Sequence, residues 1–136
     1  MPTIIRFEDI EAWKTARELT RIVYTLTEQG RFAKDFGLKN QIQHASVSVM
    51  SNIAEGFESR TQAQFLEYLG RSKASAGEVR CQLYVAIDLK YLTQEEFRQV
   101  FDLADKSSRQ IARFVNYLET HPQSHHVREE GSEYEV

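Results

Sequence analysis

A single cysteine, Cys81, leaves this 136-residue chain without an internal disulfide framework. Two prolines and six glycines are too few for the many turns of a β-sandwich and suit long helices instead. No apolar run approaches the roughly 18 residues of a membrane span, so no membrane association is expected. The opening stretch carries Glu8, Asp9 and Glu11 and has no apolar h-region, so no signal peptide is expected and the cytoplasm is the default compartment. G-x-S-x-G, P-loop, G-x-G-x-x-G and H-E-x-x-H patterns are all missing. A di-metal bundle would need E-x-x-H pairs on facing helices, and none is present. The titratable groups do not converge, so the expectation is a protein that is not an enzyme, with no cofactor and no metal.

The formal net charge is −3, and it is unevenly placed. Residues 1–120 carry 16 Lys+Arg against 16 Asp+Glu, whereas 121–136 carry Arg128 against Glu129, Glu130, Glu133 and Glu135. The expected organisation is one folded domain over 1–120 and a disordered acidic tail over 121–136, too poor in apolar residues to offset its ordering entropy. A neutral fold lacks the basic footprint of a protein that holds nucleic acid by charge alone.

Four stretches show helical periodicity. Over residues 7–29, Ala12, Ala16, Leu19, Val23 and Leu26 recur at steps of 4 and 3. Over 38–57 the seam is Leu38, Ile42, Ala45, Val49, Ile53 and Phe57. Over 61–89 it is Phe65, Leu69, Ser72, Ala76, Val79, Leu83 and Ala86. Over 93–118 it is Phe97, Phe101, Ala104, Ser108, Ile111, Val115 and Leu118. Thr93 followed by Glu96 reads as a capping box. Short connections and an alternating 4–3 seam predict an all-α, up-down-up-down antiparallel four-helix bundle.

The second stretch has no Lys, Arg, Asp or Glu from Asn40 to Ala54. A bundle helix ordinarily keeps a charged face toward water. Val47, Met50 and Ala54 form a further apolar strip beside the core seam. The third stretch carries a complementary ridge of small residues, Ala63, Gly70, Ala74, Gly77 and Cys81. A glycine inside a helix costs about 1 kcal/mol against alanine, so two on one face call for a packing reason. Either both features tighten one monomer, or they meet neighbouring subunits. The second reading is preferred because one bundle does not need two buried sides on one helix, and it makes Val47, Met50, Ala54, Gly70, Ala74 and Gly77 the expected oligomer interface.

Ser48, Asn52 and Glu55, with Ser75 and Glu78 of the third helix, form a polar set. It is either a site or, the preferred reading, a hydrogen-bonded network fixing the packing of helices two and three. His44, with no carboxylate at i±4, cannot build a metal site alone; a satisfied or interfacial histidine is expected. His121, His125 and His126 fall in the tail, which offers a metal no fixed geometry. Cys81 is expected to be an inert buried thiol. Lys14, Arg17 and Arg21 on helix one, and Lys106, Arg109 and Arg113 on helix four, are same-face basic triplets. They are candidate nucleic-acid contacts, or else solvated faces balanced by Glu11, Glu18 and Asp102.

The run Gln41-Ile42-Gln43-His44-Ala45-Ser46-Val47-Ser48-Val49-Met50-Ser51-Asn52-Ile53-Ala54-Glu55-Gly56 resembles the Q-x-x-R-A-x-x-S-I-x-x-N-I-A-E-G segment of the four-helix-bundle proteins encoded in intervening sequences of 23S ribosomal RNA genes. Phe7-Glu8-Asp9-Ile10 with Trp13-Lys14 is similar to that family's first helix. Phe32 to Leu38 is similar to its F-P-x-E-x-x-G-L connection, and Phe65-Leu66 with Ala74-Ser75 and Glu78 to its third helix. The chain differs at His44, where the family has Arg, at Ala33, where it has Pro, and at Ala74, where it has Gly. The resemblance implies a closed, barrel-like homopentamer with no established enzymatic activity. It also implies kinship with accessory variability proteins of diversity-generating retroelements, which bind RNA or DNA and a reverse transcriptase. The expected function is a non-enzymatic, pentameric helical scaffold with a nucleic-acid-binding surface; the alternative is a protein–protein adaptor with no nucleic-acid role.

Overall fold

The structure, a computed structural model, describes residues 4–121. The tail expected over 121–136 lies, apart from His121, outside the described residues. Four helices account for the fold: α1 Glu11–Thr27, α2 Phe36–Phe57, α3 Gln62–Asp88 and α4 Gln94–Thr120, with short 3-10 turns at Phe7–Asp9 and Phe32–Lys34. No strand occurs among the described residues.

The helix ends are set by local chemistry. The first helix was expected from residue 7, but extended backbone at Ile10 (φ −75°, ψ 123°) separates the 3-10 turn from α1. The Asp35 carboxylate caps α2 by accepting from the Leu38 amide at 3.1 Å. Thr93 and Glu96 form the expected capping box, and Thr61 with Gln64 forms a second one at the start of α3. At the other end of α3 the Tyr91 amide donates to the Ala86 carbonyl and the Lys90 amide to the Ile87 carbonyl, each at 2.9 Å. This is a Schellman closure with Lys90 at φ 61°, a left-handed position that glycine fills more readily.

Helix α1 packs on α2 and α4, and α3 packs on α2 and α4. Each expected seam residue of α1 and α3 is buried. In α2, Ile42 to Phe57 are buried, while Leu38 is half-buried at the bundle end. The α4 seam needs correction. Phe97, Phe101 and Val115 are only half-buried, and Val100, Ser107 and Phe114 enter the core instead. Phe97 and Phe101 lie at the α3–α4 margin, where both rings meet Tyr84, at 5.6 and 5.4 Å between centroids. The Cys81 expectation also fails, because the thiol is exposed. Cys81 is nine residues from buried Ser72 and so, at about 100° per residue, half a turn out of phase with the core. The ridge of small residues is solvent-facing: Ala63, Gly70 and Ala74 are exposed with it.

Gly56 is the glycine with a packing reason. A β-carbon there would lie 2.8 Å from Tyr68 Cβ and 2.9 Å from Phe65 Cδ1, so α2 and α3 approach closely at that point. Gly70, by contrast, has nothing within 4 Å of such a carbon. Gly56→Ala should therefore destabilise the subunit by about 1–3 kcal/mol, while Gly70→Ala should stabilise the helix by about 0.5–1 kcal/mol. Urea unfolding of the two variants checks both signs.

Candidate functional site

The polar set between α2 and α3 is partly drawn together. The Ser48 and Ser75 hydroxyls meet at 2.9 Å. The Asn52 amide donates to both the hydroxyl and the carbonyl of Ser48, each at 2.9 Å. One layer further in, the buried Ser72 hydroxyl donates to the Val49 carbonyl at 2.6 Å. Glu55 and Glu78 stay outside: Glu55 is exposed, and Glu78 accepts from Gln82 at 3.4 Å. Ser48 is thus paired to a hydroxyl and an amide. Neither can take its proton, so the cluster ties helices together and has no base to activate a nucleophile. His44 is exposed on α2.

The expected interface residues fall on two separate outer strips. On α2 the flank with Gln43, Ser46 and Met50 faces α1. There the Gln43 amide donates to Thr27 at 2.8 Å, the Thr20 hydroxyl donates to the Ser46 carbonyl at 3.0 Å, and Met50 packs on the core. Val47 and Ala54 continue that strip outward, with Val47 36% exposed. On α3, Gly70 and Ala74 are exposed and Gly77 is half-buried, where an added β-carbon would lie 3.5 Å from the Arg80 guanidinium.

The two basic triplets lie on neighbouring helices and line separate clefts. Because α1 and α4 are packed neighbours, one cleft is lined by Glu18 and Ile22 of α1 and by Gln99, Asp102, Leu103, Lys106 and Arg109 of α4. A second, on α1, is lined by Trp13, Lys14, Arg17, Glu18 and Arg21. Glu18 lines both, so they adjoin at that residue as a two-part furrow, with the α1 cations lining one part and Lys106 and Arg109 the other. Toward the start of α1 a third cleft brings Arg113 and Phe114 against Ile4, Ile10 and Ala12. Three of the six cations are paired at rest. Lys14 meets Glu11 at 3.4 Å; Arg21 holds Glu18 through two nitrogens; Arg109 meets Asp105 at 3.0 Å, a carboxylate that also receives Arg80 at 3.2 Å. The Arg21 hydrogen bond holds the Glu18 carboxyl below its usual range. Arg17 lies over the Trp13 ring at 5.7 Å. Exposed pairs of this kind are worth about 0–1 kcal/mol, so a phosphate can displace the acid partner.

A cluster that the sequence did not announce joins the two connections at one end. The Tyr91 hydroxyl donates to the Asp35 carboxylate at 2.9 Å. Arg31 donates to the Leu89 carbonyl at 2.9 Å and lies 5.5 Å from the Tyr91 ring centroid, and Phe32 packs on the same ring. Asp35 thus serves as helix cap and as tyrosine acceptor together. Nothing in the local sequence marks that residues 56 positions apart would meet.

Among the described residues no group of three or more His, Cys, Asp and Glu is placed to hold a metal ion, and no helix is long and apolar enough to cross a membrane.

The four-helix fold, with its Ser48–Asn52–Ser75 seam, defines the class of protein. The family model described as 23S rRNA-intervening sequence protein matches residues 8–113, and this chain belongs to that family. Among solved structures, it is similar to a Bacteroides thetaiotaomicron protein of unknown function from the S23 ribosomal protein family. The two share 21% identity over 77% of this chain and 95% of that one, with a TM-score of 0.71, a likeness of fold. Comparison with curated proteins gives no match.

The hydrogen bond to Asp35 raises the Tyr91 hydroxyl above its ordinary value of 10.0. Neutral Tyr91 is the donor, so its contribution is fully present below that value and is lost as pH rises through the raised one. Tyr91→Phe should lower the melting temperature at neutral pH. The gap between variant and parent should close in strong alkali; thermal melts across that range check it.

Proposed function

We propose that this protein is a non-enzymatic helical scaffold that assembles into a closed ring and binds nucleic acid along its α1–α4 face. The carrying observation is the pair of clefts that adjoin at Glu18, one lined by Lys14, Arg17 and Arg21 and the other by Lys106 and Arg109. Arg113 extends the cation row along α4. In a chain of net charge −3 this is a local positive face, with Asp9, Glu11, Glu18 and Asp102 lining the same clefts. A single furrow of this kind binds phosphate weakly, and several copies linked in one ring raise the avidity without new chemistry.

Contact pairs support the antiparallel up-down-up-down order. Ser48 meets Ser75 while Gly56 meets Phe65, and Arg80 meets Asp105 while Gln62 reaches Leu118. Assembly is assigned to the outer faces of α2 and α3, which carry exposed Val47 and the open ridge at Gly70 and Ala74. The ring and its fivefold number follow from the family resemblance.

Binding should tolerate sequence and fall steeply with salt. Arg17→Glu combined with Arg109→Glu should abolish it. Fluorescence anisotropy with single-stranded RNA and duplex DNA at low salt is the test. No change up to high micromolar protein would favour the adaptor reading, in which a protein docks on the ring.

Assembly is tested separately. Val47→Glu with Ala54→Glu places charge on the outward positions of the α2 strip, where burial without a partner is costly. Light scattering should report a lower mass at unchanged helicity; a monomeric parent at micromolar concentration would contradict the assignment.

A further inference from the structure

We propose that the furrow takes single-stranded nucleic acid in preference to duplex, with an unpaired base stacked on the layer made by Arg17 and Trp13; this rests on the nucleic-acid reading above. Trp13 shares its cleft with Lys14, Arg17, Glu18 and Arg21, so an aromatic surface lies within the cation row. The ring is already fixed. Phe7 meets it edge-on at 5.2 Å and 65°, and the Arg17 guanidinium lies 5.7 Å from its centroid. Phe7 stands before α1 and Arg17 follows Trp13 by one helical turn, so the ring is braced from both directions along the chain. Indole and guanidinium are each flat groups, here set next to each other, and bases stack on either kind of plane. Because the layer exists before binding, little side-chain freedom is lost when a base adds to it.

The charge pattern argues against a duplex. Double-stranded DNA presents one phosphate per about 1.7 Å of axis and is held by many simultaneous phosphate contacts. Here Lys14, Arg21 and Arg109 are each shared with a carboxylate. Glu11 and Glu18 alternate with the α1 cations and would face the second strand of a duplex. A single strand can thread between those acids, place a phosphate on Lys14 or Lys106, and gain the rest of its affinity from stacking. Duplex bases are closed to such a layer.

Trp13 is the sole tryptophan, so its emission reports on this cleft alone. Full-length protein is titrated at low salt with oligo(dT), with oligo(rU) and with a mixed-sequence duplex. Anisotropy of a labelled probe gives affinity, and tryptophan emission gives stacking. Both single strands should bind and quench, with the duplex about tenfold weaker and without quenching. Trp13→Leu should weaken single-strand binding about tenfold and leave the salt slope unchanged, because no phosphate contact is lost. Arg17→Lys keeps the charge and removes the plane; it should reproduce most of that loss, and it guards against a Trp13→Leu variant that does not fold. Duplex binding equal to or tighter than single-strand binding, or single-strand binding with unaltered emission, overturns the proposal while leaving the nucleic-acid reading intact. If no probe binds, that reading fails and this proposal with it.

Discussion

The close approach of α2 to α3 is the constraint on which the rest of the bundle depends. At Gly56 a missing side chain lets Tyr68 and Phe65 come within 3 Å of where a β-carbon would stand. From there the seam runs through the Ser72–Val49 hydrogen bond and the Ser48–Ser75–Asn52 cluster. Small hydroxyl residues serve this seam because they permit short interaxial distance and still find partners in a half-buried strip. The absence of charge from Asn40 to Ala54 follows in part from this. A long charged side chain on the α3 flank would hold the helices apart, and one on the α1 flank would displace Met50 and the Gln43–Thr27 bond. The outward positions, Val47, Ser51 and Ala54, are not explained by the subunit's own packing, and it is these that the proposed assembly covers.

With α2 and α3 locked together, α1 and α4 close the bundle from the other side, and the charged surface is concentrated there. The acids that balance the α1 and α4 cations make each ion pair weak and replaceable. In the proposed function, contact at the furrow is modest and salt-sensitive, and repetition around the proposed assembly supplies the remaining affinity. The α2 and α3 faces proposed for assembly lie on the side of the bundle away from the α1–α4 clefts, so the proposed assembly would leave those clefts open.

Much of the fold was legible because helix periodicity is local information. The seams of α1 and α3 could be read residue by residue, and the Thr93–Glu96 box marked the start of α4. In the α4 seam Ala104, Ser108, Ile111 and Leu118 were read correctly, but Phe97, Phe101 and Val115 were not. Phe97 and Phe101 look like core residues in sequence, yet they stack at 5.2 Å on each other at the α3–α4 margin, and Ser107, with no apolar signature, is the buried one. Cys81 was misplaced for a related reason: a row of small residues carries no sign of whether something lies against it. In the candidate site, the Ser48–Asn52 bond could be inferred from its i, i+4 spacing, and the meeting with Ser75 from helix pairing. The adjoining of the two basic clefts could not, since it depends on α1 and α4, at opposite ends of the chain, becoming neighbours. The Arg31–Asp35–Tyr91 cluster was unreadable for the same reason.

The central claim is that this protein meets nucleic acid through α1 and α4 and meets its own kind through α2 and α3. Ultraviolet crosslinking of a bound oligonucleotide, followed by peptide mapping of the intact assembly, tests it most directly. Crosslinks should fall within 13–21 of α1 and 106–113 of α4. Crosslinks concentrated on the outer face of α2 or α3 would contradict it.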